Sequence, residues 1–557
     1  MSLALTNAIV HTSDAEHPLA STVVIEGSAI VYVGSEEGWD NPGGIPVIDL
    51  GGRTLTAGFV DSHTHPSMVT QSLWHVRLPW TSDIDELLGF IRDYAESHPP
   101  EEVPFLYFEY YPSETFRERA ATKELLDSAV SDRPCLCQDF SEHEHWVNSR
   151  MLDLMGITAA TPDPIPGLEM FVRDDAGEPT GLLREMVHLP FLDRLFDAIG
   201  WTPPHELTPE RIAPFFEFMT RSGVTAVFEA LVDDEQIVAS VAELDRRGEL
   251  NVRYSGALRF RGRDDLPGVI ERLQRLQALH GGAHVRMNTL KLFLDGTNES
   301  GNGAVLEPLC GHGGGYGEMS IPCDELVDCL LLAESHGVDV HIHLVGDRAF
   351  RVACDAVEIA RRVRQDSAGG FGSQVTLAHC ELIDPADLLR PAHLGITVNW
   401  TCHWSGGYFG EGARRHLGDE RWNRMYRFSE IADSGAVLAF SSDVVTGYEL
   451  HRAAPLFGMG VAHSRVDPEF PLDPARYAGS LRPASGDRLA REVLLRGYTI
   501  DGARQLGIAT STGSLEVGKS ADLVVLSEDP LGVDESRIGA ISVDAVVFEG
   551  RVVSGSL

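Results

Sequence analysis

The chain lacks several features that would settle its class at once. No apolar run reaches the ~18 residues that a membrane-spanning helix needs, so no membrane association is expected. The first residues have neither a basic segment nor a long apolar one, which excludes an ordinary secretory signal and makes a cytoplasmic protein the expectation. Cysteine is sparse and scattered. The pair Cys135 and Cys137 does not have zinc-ribbon spacing, and reduced thiols are expected in place of a disulfide framework. Positive charge is short: 45 basic residues face 83 acidic ones, for a net charge of −38. That balance argues against nucleic acid or an anionic membrane as a partner. The acidic residues are spread out and form no tail, and neither a fixed-period repeat nor a low-complexity segment is visible.

At 557 residues and 43% hydrophobic, the chain can bury a core larger than one ordinary domain. Short β patterns open it: Ala8–Val10, Thr22–Ile25, Ile30–Val33 and Pro46–Leu50, punctuated by Gly27, Gly34, Gly51 and Gly52. Similar patterns close it, at Ala521–Leu526 and Ala545–Val553. Residues 1–56 and 511–557 are therefore expected to form two halves of one β-sandwich.

Between them, apolar strands alternate with helical patterns. The strands are Val224–Phe228, Leu290–Leu294, Val338–His343, Val375–His379, Ile396–Trp400 and Val437–Ser441; the helices span 324–336, 350–363 and 384–390. Repeated units of this kind predict a parallel sheet closed as a (β/α)8 TIM barrel over 57–510. The interval from His65 to Lys291 is far longer than the roughly 100 residues that three such units need. An inserted α+β subdomain at about 104–215, seated over the barrel mouth, accounts for the excess.

Polar residues sit where apolar strands end. The stretch Gly58-Phe59-Val60-Asp61-Ser62-His63-Thr64-His65-Pro66 runs out of a buried strand, and His63 and His65 point to the same side of an extended backbone. Two converging imidazoles suit a borderline metal such as zinc. Lys291 lies inside Leu290–Leu294, where a bare ammonium is costly. It is either paired with Asp295 or carbamylated, with the new carboxylate able to bridge two cations. His343, His379 and Asp443 each end a further strand. In such barrels catalytic residues occupy the C-terminal strand ends.

These motifs in this order resemble the amidohydrolase superfamily of metal-dependent hydrolases. Gly346-Asp347-Arg348-Ala349 after His343, Ser442-Asp443, and the closing stretch Gly513 to Val525 add to the likeness. Within the superfamily the chain is similar to the branch containing N-substituted formamide deformylase, and His143-x4-Asn148-Ser149 matches that branch. The resemblance implies one or two divalent metals, zinc by expectation. His63 and His65 would hold the more buried one with Asp443; carbamylated Lys291 would bridge to a second held by His343 and His379. With a single metal, Lys291 and His379 become supporting or substrate-facing groups. Asp443 would move the proton. His143, Glu185 and Asp295 are the expected substrate contacts.

The function so implied is hydrolysis of an amide-type C–N bond in a small molecule, by a chain for which a homodimer is the assembly to test. Cyclic-amide hydrolysis or deamination is the alternative, although the strand at His343 runs into Gly346-Asp347 without the proton-shuttling glutamate such enzymes often add. A catalytically silent scaffold would have lost ligands, and none of the candidates is missing.

Overall fold

The computed structural model describes residues 2–41, 43–116, 119–311, 314–365, 371–406, 412–469 and 488–557. Eight parallel strands run in sequential order around a barrel: β1 (Phe59–Thr64), β2 (Val224–Glu229), β3 (Arg253–Arg259), β4 (Val285–Phe293), β5 (Asp339–Leu344), β6 (Val375–His379), β7 (Thr397–Thr401) and β8 (Val437–Ser441). The period-two alternation of a strand sorts their side chains. Leu290 and Leu292 of β4, Leu294 just after it, and Val340, Ile342 and Leu344 of β5 pack in the apolar layer shared with the helices. Lys291, His341 and His343 take the opposite side, and all three are buried.

The seam between β8 and β1 is stitched by individual contacts. Asp443 donates its backbone N–H to the His63 carbonyl at 2.8 Å, and His65 donates to the Val444 carbonyl at 3.2 Å. Ser442 gives its backbone N–H and hydroxyl to the Asp61 carboxylate at 3.0 and 2.6 Å. Gly58 is required where the chain enters β1, because a Cβ there would lie 2.1 Å from Thr225 Oγ1.

Strands from the two termini meet in one sheet. Thr54–Ala57 pairs antiparallel with Leu523–Leu526 within a six-stranded sheet, and a four-stranded sheet faces it. Leu5, Val23, Ile25 and Leu55 pack with Leu523, Val525 and Val547 in one apolar cluster between them. A third sheet is mixed and six-stranded. It starts at Val76–Arg77, upstream of residue 104, and ends at Pro179–Arg184. Apolar clusters cover it, one around Leu106, Phe108 and Trp146, the other around Leu136, Met151 and Phe171.

Two local readings need correction. The helix expected at 384–390 is a short 3-10 turn, Pro385–Asp387, followed by a helix at Arg390–Leu394. Pro385 and Pro391 each lack the N–H that would continue an earlier turn, and each opens a new one. Strand β3, unanticipated from the sequence, reads Arg-Tyr-Ser-Gly-Ala-Leu-Arg. Tertiary ion pairs offset its polarity: Arg253 reaches Asp522 at 2.6 Å, and Arg259 pairs with Glu169. No helix among the described residues is long and apolar enough to cross a membrane.

Candidate metal centre and substrate cavity

His63 is the last residue but one of β1, and the chain turns at His65, where Pro66 opens the helix Pro66–Gln71. Proline suits that first helical position because its missing N–H would have no partner there. Both imidazoles converge on one oxygen of Asp443: His65 Nε2 lies 3.0 Å from Oδ1 and His63 Nε2 lies 3.4 Å from it. Two ligands of a tetrahedral zinc ion are separated by about 3.3 Å, given metal–ligand bonds near 2.0–2.1 Å. The three groups therefore already stand at ligand spacing. Among the described residues, they form the only set of three or more His, Cys, Asp or Glu groups that meets this closely.

The chemistry of the donors agrees. Burial, followed by the charges of Lys291 and neighbouring histidines, holds His63 well below its usual pKa, so its imidazole is neutral, the form a metal ion would require. Its Nδ1 is met by His341 Nε2 at 3.0 Å, a contact that orients the ring and directs Nε2 at Asp443. His343 donates Nε2–H to the Gly296 carbonyl at 3.0 Å, leaving Nδ1 as its lone pair. His379 stacks on Trp404 with centroids 5.2 Å apart and presents Nδ1 to Asp443 Oδ2 at 3.5 Å, too far for a hydrogen bond. Asp443 and His379 adopt positive φ, 50° and 72°. Aspartate tolerates that region; for histidine it is uncommon, and such backbone strain concentrates at functional sites.

Lys291 Nζ lies 3.4 Å from His63 Nε2, in the same cavity. Burial, which Asp443 opposes and Arg259 reinforces, lowers its pKa to about 7. A substantial fraction is thus the free amine at neutral pH, the form that can take up carbon dioxide. Lys291 makes no ion pair with Asp295, because the Asp295 oxygens are occupied. They accept the backbone N–H groups of Val345, Ala304 and Gly346 at 2.9, 2.8 and 3.0 Å. Asp295 thus braces the loop after β5.

The inserted sheet supplies the facing wall. His143 Nδ1 meets Glu185 Oε2 at 2.6 Å, and Glu185 Oε1 accepts from Asn302 at 3.1 Å. Burial opposes a charge on His143, but Glu185, Asp139 and Asp443 outweigh it and raise its pKa. Glu185 is buried, not a solvated surface group. Asn148 is structural: its carbonyl caps the helix Ser149–Met155 through Met151 N–H at 3.0 Å, and its amide group ties down Val130 and Arg133. His145 is buried against His188 with centroids 4.2 Å apart.

The chamber between the walls is lined by His63, His65, Lys291, His343, His379, Asp443 and His143. Trp404 lines it, whereas Trp146 and Trp400 are wholly buried in the packing. Sequence reasoning missed His341 and Glu142. The signal for His341 was present, since His341 and His343 repeat the two-residue spacing of His63 and His65.

A parallel barrel with polar groups gathered at its C-terminal strand ends is the architecture of a (β/α)8 enzyme. The chain belongs to the amidohydrolase family, whose profile matches residues 46–554. It is 26% identical over 442 residues to the exoenzymes regulatory protein AepA of Pectobacterium carotovorum, covering 78% of this chain and 92% of that one. It is 27% identical over 577 residues to the N-substituted formamide deformylase of Arthrobacter pascens, covering 98% and 97%. An uncharacterized metal-dependent hydrolase from Pyrococcus horikoshii shares the fold, with a TM-score of 0.67 at 23% identity, over 96% of this chain and 99% of that one.

Proposed function

We propose that this protein hydrolyses an amide-type C–N bond of a small molecule, an N-formyl or N-acyl amine, with zinc as its metal. The observation that carries the reading is the ligand-spaced set His63, His65 and Asp443 on the cavity floor. These three would hold the ion, and carbamylated Lys291 with His343 and His379 would complete a second position. When bound, a divalent ion there polarises a carbonyl and makes water a better acid.

The protein's own groups account for the remaining steps. Asp443 takes the proton of the attacking water and returns it to the departing amine nitrogen. Its carboxylate is held for that exchange by its backbone N–H on the His63 carbonyl. His143, oriented by Glu185, faces the same space from the insertion and is placed to donate to the carbonyl oxygen as charge develops there. Trp404 and Phe293 supply apolar walls that limit water. The deaminase alternative lacks its carboxylate: Asp347, after β5, is spent on the Leu306 amide at 2.8 Å.

The test is a panel of N-formyl and N-acyl amines incubated with zinc-loaded protein, with the released amine quantified. Amine release that scales with bound metal is expected. Release of ammonia from ring substrates, with no amine from any member of the panel, would replace this reading.

A further inference from the structure

We infer that Asn302, on the barrel loop after β4, is a positioning residue: it fixes the Glu185 carboxylate and, through it, aims His143 into the chamber. The inference deepens the hydrolase reading, on which only its effect on turnover rests; the geometry stands without it.

The loop runs from Asp295 to Ala304, and the Asp295 carboxylate closes it by accepting the Ala304 N–H at 2.8 Å. Near its start, the Gly296 carbonyl accepts from His343 Nε2 at 3.0 Å. Near its end lies Asn302, only 2% exposed. Asn302 Oδ1 accepts the Thr297 backbone N–H at 2.6 Å, and Nδ2 donates to Glu185 Oε1 at 3.1 Å. A backbone N–H only donates and a carboxylate only accepts, so the two ends of this amide cannot be exchanged. The amide is also pressed against the chain. A Cβ at Gly296 would lie 2.3 Å from it, so it fills space that glycine alone leaves.

Each Glu185 oxygen thereby has one donor, since Oε2 takes His143 Nδ1 at 2.6 Å. The last torsion of a glutamate is soft, and a carboxylate held at one oxygen swings about it; one held at both does not. With Nδ1 bonded to a carboxylate, the proton stays on that nitrogen, and Nε2 is the atom left for the chamber. The same loop therefore serves both walls. Its Gly296 carbonyl orients His343, its Asn302 amide orients Glu185 and His143, and the two imidazoles lie 5.7 Å apart between ring centroids. Reacting groups need to be held within about 0.5 Å, and a shared loop sets that spacing directly.

The experiment exchanges the polarity of the contact in the full-length, zinc-loaded protein. Asn302→Asp keeps the shape and the acceptor for Thr297 but replaces the donor by a second carboxylate. It should cost about tenfold in kcat/KM on an N-formyl amine, the value of a charge-assisted hydrogen bond, with zinc content unchanged. Combining it with Glu185→Gln restores a donor–acceptor pair, because the new amide gives its N–H to the new carboxylate and its oxygen to His143. The double variant should therefore cost no more than Glu185→Gln alone, where independent effects would multiply to about a hundredfold. The second readout needs no turnover: the exchange-protected Nδ1 proton of His143 in the NMR spectrum of histidine-labelled protein, assigned by its absence from His143→Gln. It should be lost in Asn302→Asp and regained in the double variant. If Asn302→Asp does not fold, a double variant that melts cooperatively with the proton present still establishes the contact. Multiplying effects, loss of zinc in Asn302→Asp, or a proton that is absent from the unaltered protein or unmoved by Asn302→Asp would overturn the inference. A proton that responds as stated in a protein that cleaves no member of the panel keeps the positioning role and loses the hydrolytic reading. Full turnover in Asn302→Asp, with the proton unmoved, does the reverse.

Discussion

The two walls of the cavity are held by different means. On the barrel side, Lys291, His343 and His379 project from strands fixed on both flanks by parallel ladders, for example Phe293 against His343 and Leu344 against His379, and His63 projects from β1, which is laddered to β2 and stitched to β8 by single contacts. On the insertion side, His143 and Glu185 hold one another. The Glu185 backbone N–H binds the His143 carbonyl at 2.7 Å, and the side chains meet at 2.6 Å. Glu142 and Glu185 both sit in left-handed turns, with φ of 65° and 60°. A ladder allows little adjustment, so the barrel wall is suited to the invariant part of the chemistry. Turns braced by side chains can be rebuilt without disturbing the fold, so the insertion wall is suited to choosing the substrate.

The sharpest way to break this contrast is to empty the barrel wall. Removing metal with a chelator should abolish turnover, and added zinc should restore it; turnover that survives chelation, with metal loss verified by elemental analysis, would contradict the assignment. Next in size is Asp443→Asn, which preserves shape and removes the proton acceptor. It should lower kcat by at least about a hundredfold in a protein that melts normally. Near-normal turnover in that variant would mean that another group moves the proton. Glu185→Gln probes the opposite wall. Losing the charge that orients His143 should cost about tenfold in kcat/KM, the value of a charge-assisted hydrogen bond, and should leave metal content unchanged. If metal is lost as well, the two walls are not separable. Gly58→Ala has the smallest expected effect and reads out stability. Crowding Thr225 at the entry to β1 should cost about 1–3 kcal/mol, seen as a lower melting temperature.

The same contrast explains what could be read from the sequence. Seven of the eight barrel strands contain an apolar stretch closed by a turn or a polar residue, and period-two alternation alone indicates which side Lys291 and His343 take. The metal-ligand candidates His63, His65 and Asp443 were visible because each follows such a run. Strand β3 was not, since Arg253 and Arg259 are tolerated only through Asp522, Glu549 and Glu169, all distant in the chain. Asp295 misled for a related reason. An aspartate one turn of chain from a buried lysine suggests an ion pair, yet three backbone amides claim it, and these come from loops that sequence spacing does not place. The outer part of the cavity, lined by both Glu142 and Glu449, was the least legible. Glu142 and Glu449 are far apart in the chain and come together only once the insertion closes over the barrel.

The most direct test of the central claim is the metal content of purified protein, beside that of a His63→Ala/His65→Ala double variant. The account predicts a stoichiometric divalent ion, zinc, in the unaltered chain and its loss in a double variant that still melts cooperatively. An active protein without metal, or the same metal content in both, would contradict it.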